Sequence, residues 1–89
     1  MSIIDVTAAT VDRDDPMHYD RMCELANRLR GEYIARGRAA ADDSEREHYR
    51  HLEREVSREA DAVDGYDFDA VMRAAASFRK RLGKLDVAA

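Results

Sequence analysis

Three amphipathic helical stripes run through this 89-residue chain, and few large apolar side chains are present to fill the space between them. Leu, Ile, Val and Phe together supply sixteen residues. The 45% hydrophobic fraction leans on fifteen alanines, each of which buries little area. Burial is worth about 25 cal/mol per Å² of apolar surface, so such a core leaves a small margin over the chain entropy that folding removes. The shortage points outward. Another protein surface, either a second copy or a different partner, is expected to complete the fold.

Length and composition bound the remaining choices. Eighty-nine residues make at most one domain, with no proline- or glycine-rich linker and no repeat at solenoid period. The single cysteine, Cys23, excludes an internal disulfide and a cysteine-rich zinc site. The opening MSIIDVTAATVDRDD has no basic start followed by a continuous apolar run, so it does not read as a secretory signal. No segment is long and apolar enough for a membrane span, and the cytoplasm is the expected location. Arg outnumbers Lys thirteen to two, which suits a GC-rich bacterial genome.

Charge is uneven along the chain. Residues 1–15 carry −3 and residues 16–41 carry +2; residues 42–67 carry −6 and residues 68–89 carry +3. An acidic middle helix can pair with two basic neighbours, although each exposed pair is weak. The overall −4 argues against general nucleic-acid binding.

The periodicity predicts an all-α fold: a small three-helix up-down-up bundle over residues 14–86, an extended N-terminal arm over 1–13 and a C-terminal tail over 87–89. The arm carries Ile3, Ile4, Val6 and Val11 without helical period, and β-branched residues favour extended backbone. Asp14-Asp15-Pro16 is a helix start, with an aspartate cap before proline at the first helical position. Met22, Leu25, Ala26, Leu29 and Tyr33 form the first stripe. Gly31 interrupts it, implying a bend or a closely packed backbone, and Gly37 reads as the C-terminal cap.

Ser44-Glu45-Arg46-Glu47 has the pattern of a capping box opening the second helix, with Glu47 reaching back to the cap amide. Tyr49, Leu52, Val56, Ala60 and Val63 give its apolar face. Its end is expected at Asp64-Gly65, with the glycine left-handed. Asp67 then caps a third helix carrying Phe68, Val71, Ala75, Phe78, Leu82 and Leu85 at the spacing of near-parallel helix packing. Short connectors make neighbouring helices antiparallel.

Two polar constellations stand out on the second helix. Arg46, Arg50, Arg54 and Arg58 recur at four-residue spacing, drifting about 40° per step around one flank. Guanidinium groups suit phosphates or carboxylates, but Glu47, Glu53 and Asp61 share the sector, so a self-paired solvated flank or a carboxylate-bearing partner is favoured. His48, His51, Glu55 and Glu59 fall within about 80° on the other flank. Glu45-x-x-His48 also has the spacing used in carboxylate-bridged iron bundles. A metal site would need further inward carboxylates, for which Glu24 and Glu32 are the candidates.

Cys23 has no evident activating partner and reads as a small buried apolar residue. Tyr19, Tyr33, Tyr49 and Tyr66 read as aromatics at the bundle edge. The junction over residues 63–67 has a helix-turn-helix outline, but the third helix starts acidic and apolar.

These features predict a non-enzymatic cytoplasmic protein-binding module, a small regulator or inhibitor of the antitoxin or phage-inhibitor class, with no cofactor. A self-associating structural homo-oligomer is the alternative, and a small helical metal-binding protein the second. The residues expected to meet a partner are Ile3, Ile4, Val6, Met22, Tyr33, Arg46, Arg50, Arg54 and Arg58.

Overall fold

Three helices account for most of the computed structural model, which describes residue 13 and residues 15–88: α1 (Met17–Arg38), α2 (Asp43–Asp61) and α3 (Phe68–Ala88). No strand occurs among the described residues. The chain is a small all-α bundle. The arm residues Ile3, Ile4 and Val6 lie outside the described residues.

Local chemistry fixes most helix starts. Pro16 already has helical backbone, at φ −62 and ψ −16, and the preceding Asp15 carboxylate accepts the Met17 N–H at 2.9 Å. Asp67 opens α3 by accepting the Ala70 N–H at 3.1 Å. The expected start of α2 moves. Asp42, not Ser44, is the cap, accepting the Glu45 N–H at 2.8 Å, while Glu45 accepts the Ala41 N–H at 3.2 Å. Asp42 and Glu45 repeat the spacing of Ser44 and Glu47 two residues earlier. The earlier pair adds helical hydrogen bonds, and an ionised carboxylate meets the positive end of the helix dipole better than a hydroxyl. Glu47 is thereby free to pair with arginines.

The glycines also depart from expectation. α1 runs through Gly37 to Arg38, and no glycine among the described residues has positive φ. Gly37 is buried instead at the α1–α2 contact, where an added Cβ would stand 3.5 Å from the Tyr49 Cβ. α2 ends at Asp61, before the expected Asp64-Gly65. There the Asp64 carboxylate closes a turn on the Tyr66 N–H, and the Gly65 Cα faces the Tyr19 ring. Helix α1 is uninterrupted at Gly31, and no atom would lie within 4 Å of a Cβ there, so the closely packed backbone is absent. α3 extends to Ala88, taking in two of the residues expected as tail.

The interior is thin. Met22, Ala26, Leu29 and Tyr33 from α1 meet Val71, Ala75, Phe78 and Leu82 from α3, while α2 contributes one fully buried side chain, Val56. Tyr19, Leu25, Tyr49, Leu52, Ala60, Val63 and Leu85 close around them, half-buried. α2 and α3 both pack along α1 and scarcely meet each other. A polar bridge links them: the Arg81 guanidinium donates to both Glu59 oxygens, at 2.9 and 2.6 Å. Arg36 of α1 donates to the Leu85 carbonyl at 3.3 Å, supplying one of the last-turn acceptors of α3 with a partner.

Candidate functional site

Beside the buried Gly37, a cleft lies between the C-terminal end of α1 and the N-terminal half of α2. It holds about 430 Å³ and is lined by Tyr33, Ile34, Gly37, Arg38, Arg46, Tyr49, Arg50 and Glu53. Its floor is apolar and aromatic. The Tyr33 and Tyr49 rings stand 6.3 Å apart at 34°, and Ile34 remains 41% exposed at the edge. Its rim is cationic.

Each rim charge has a distinct electrostatic state. Arg46 pairs with Asp43, whose side chain is 99% exposed. Arg50 reaches Glu47 at 3.2 Å, and Arg54 reaches the same carboxylate at 2.9 Å. The hydrogen bond from Arg54, with the charge of both arginines, holds the Glu47 carboxyl below the usual glutamate range. The Arg38 side chain has no hydrogen bond or ion pair among the described residues. Glu53 faces the other way electrostatically, accepting from Arg30 of α1 at 2.7 Å.

The expected site residues separate into four groups. Arg46 and Arg50 lie on the cleft rim, and Arg54 sits behind them on the exposed flank. Arg58 belongs to a different surface, the α2–α3 groove, with Leu52, Glu55, Glu59 and Arg81. Met22 is wholly enclosed, and Tyr33 is 6% exposed, with its ring in the cleft floor. Burial raises the Tyr33 pKa above the ordinary tyrosine value, with nearby Arg81 opposing the shift. Met22 was read both in the apolar stripe and as a partner contact, because a stripe shows which residues share a face, not whether a second helix covers them.

The histidine-carboxylate flank does not converge. His51 meets Glu55 at 3.0 Å, His48 packs edge-on against Tyr49, and Glu59 is held by Arg81. No group of three or more His, Cys, Asp or Glu among the described residues is placed to hold a metal ion. Cys23 is half-buried beside Tyr19, and its hydrogen bond raises the Tyr19 pKa. At the opposite end of the bundle, Arg13 lies over the Phe68 ring at 4.3 Å and His18 meets the same ring edge-on. Tyr66 there is fully exposed.

Compared with protein families, curated proteins and solved structures, the chain matches none. The site must be read from its own geometry.

Ile34 and Arg38 are the cleft residues that periodicity did not single out. Ile34 sits one position beyond Tyr33, about 100° off the stripe. An isolated β-branched residue on an otherwise polar face was the available signal. Arg38 is the last residue of α1, where any arginine complements the helix dipole, so its type and position do not mark it as a site residue.

Proposed function

We propose that this chain is a non-enzymatic protein-binding module, a small regulator or inhibitor that acts by covering a surface of another protein. The observation that carries the reading is the one-sided interior: α2 is anchored by a single fully buried side chain while an apolar, arginine-rimmed cleft stays open beside it. A partner lying there would bury the exposed part of Ile34 and the edge of Tyr49, adding apolar area that the fold lacks. Exposed Met17, Tyr66 and Met72 offer further contact area elsewhere. The cytoplasm is the proposed compartment, where a lone thiol such as Cys23 stays reduced. No helix among the described residues is long and apolar enough to cross a membrane.

Light scattering behind size exclusion, combined with thermal melts across about a hundredfold range of concentration, tests the reading. The expected result is a monomer with a low melting temperature that does not change with concentration, and that rises once a saturating partner is bound. A defined oligomer whose melting temperature climbs with concentration would instead mean that the chain completes its own core.

A further inference from the structure

We propose that the α1–α2 cleft receives an acidic segment of a partner protein, which sets an apolar side chain against Ile34 and Tyr49 and its carboxylates on Arg38, Arg46 and Arg50. The proposal deepens the protein-binding reading by naming the chemistry of the partner. It rests on charge complementarity at the cleft. Four ionisable side chains other than tyrosine line it; three are arginines, and the fourth, Glu53, is taken up by Arg30.

The three arginines are available in different degrees. Arg38 has no partner among the described residues. Arg46 and Arg50 hold intrahelical carboxylates that lie outside the cleft lining, and one of these, Glu47, already has Arg54. Exposed pairs of this kind contribute little, so exchanging them for a partner's carboxylate costs little. The incoming group gains from fork-shaped guanidinium geometry. An apolar anchor seated on the floor would also exclude water and strengthen those contacts.

The neighbouring α2–α3 groove lacks this imbalance. It carries both signs: Glu55 and Glu59 line it beside Arg58 and Arg81, with Arg81 held by Glu59 and Glu55 by His51. Nucleic acid fits the cleft less well than an acidic peptide. A phosphate backbone needs a continuous basic track, whereas residues 42–67, which hold Arg46 and Arg50, carry −6 overall. A short acidic segment needs only the local rim.

The test is amide chemical-shift mapping on the full chain with a short synthetic peptide of glutamates spaced by Leu and Phe at helical intervals. Controls are a twin with lysines for the glutamates, a twin with alanines for the apolar residues, and single-stranded oligo-dT. The glutamate peptide is expected to shift the amides of Ile34, Arg38, Arg46, Tyr49 and Arg50. Affinity should fall by about tenfold in Arg38→Glu and on raising salt, and clearly in Ile34→Ala. Both positions are exposed, and circular dichroism should confirm that each variant keeps its helices. Arg58→Glu, on the other groove, should bind as the parent does. No shift at millimolar glutamate peptide overturns the proposal, as does an equal response to either peptide twin or an oligo-dT response at the same amides. Peptide shifts confined to another surface overturn the cleft assignment while leaving the protein-binding reading, which is judged by mass and melting behaviour, intact.

Discussion

Replacing Val56 with alanine asks directly whether α2 hangs on one side chain. Val56 is fully enclosed and is the sole side chain of α2 in that condition. Truncation removes two methyl groups from the core, worth about 0.8 kcal/mol each by transfer. Incomplete closure of the gap adds about 24 cal/mol per Å³ of residual cavity, bringing the gross cost to about 2.5 kcal/mol. Alanine is the better helix former, and returns roughly half a kcal/mol. The net loss is about 2 kcal/mol. For a domain of this size, that lowers the melting temperature by roughly 8–16 °C. The control is Leu52→Ala, which removes a larger side chain from a half-buried position on the open α2–α3 side. Its loss should stay near 1 kcal/mol, because much of the leucine surface was never taken from water. Thermal and urea melts followed at 222 nm supply both values. If Leu52→Ala costs as much as Val56→Ala, or more, the single-anchor account of α2 is wrong.

Three further outcomes follow from the same structure. Gly31→Ala and Gly83→Ala both lie inside helices with no atom within 4 Å of the new Cβ; each should add up to about 1 kcal/mol to stability in urea melts, and a loss at either would show that the open space is occupied. A double-mutant cycle of Arg81→Met with Glu59→Gln should return about 1 kcal/mol of coupling or less, because the pair is bidentate but Glu59 is 47% exposed; zero coupling would remove the polar bridge between α2 and α3. Tyr33 has a raised pKa in the folded chain because of burial. Its contribution is therefore complete below the ordinary tyrosine pKa of about 10 and is lost as pH rises through the folded value. Stability measured above pH 10 should fall, and Tyr33→Phe should soften that fall; an unchanged alkaline profile in the variant would refute the assignment.

The helical stripes were legible in the sequence to the level of individual residues. Ala26, Leu29, Val56, Val71, Ala75, Phe78 and Leu82 fall on the apolar stripes read from the sequence and all are buried, as is Met22, which the sequence also offered as a partner contact. The Asp15-Pro16 start and the Asp67 cap were legible as well, since each depends on hydrogen bonds spanning three residues or fewer. The α2 start was ambiguous for a local reason: Asp42 with Glu45 and Ser44 with Glu47 present the same spacing. The glycines misled because Gly37 and Gly65 serve contacts with Tyr49 and Tyr19, which lie on other elements.

For the cleft, the sequence supplied its arginines without supplying their setting. Arg46 and Arg50 were visible as a ladder, but nothing local showed that Ile34 and Arg38 stand opposite them, or that Arg30 removes Glu53 from the balance. By itself, then, the sequence determined three helices, their apolar faces and a shortage of core volume, because a 3.6-residue period and end caps are set by neighbours within a turn. Only the tertiary structure decided that α2 and α3 lean on α1 without closing on each other, and that a cationic cleft opens beside Gly37. Those outcomes depend on the rotation and offset of each helix against the next, and these are fixed by side chains that meet across tens of residues of chain.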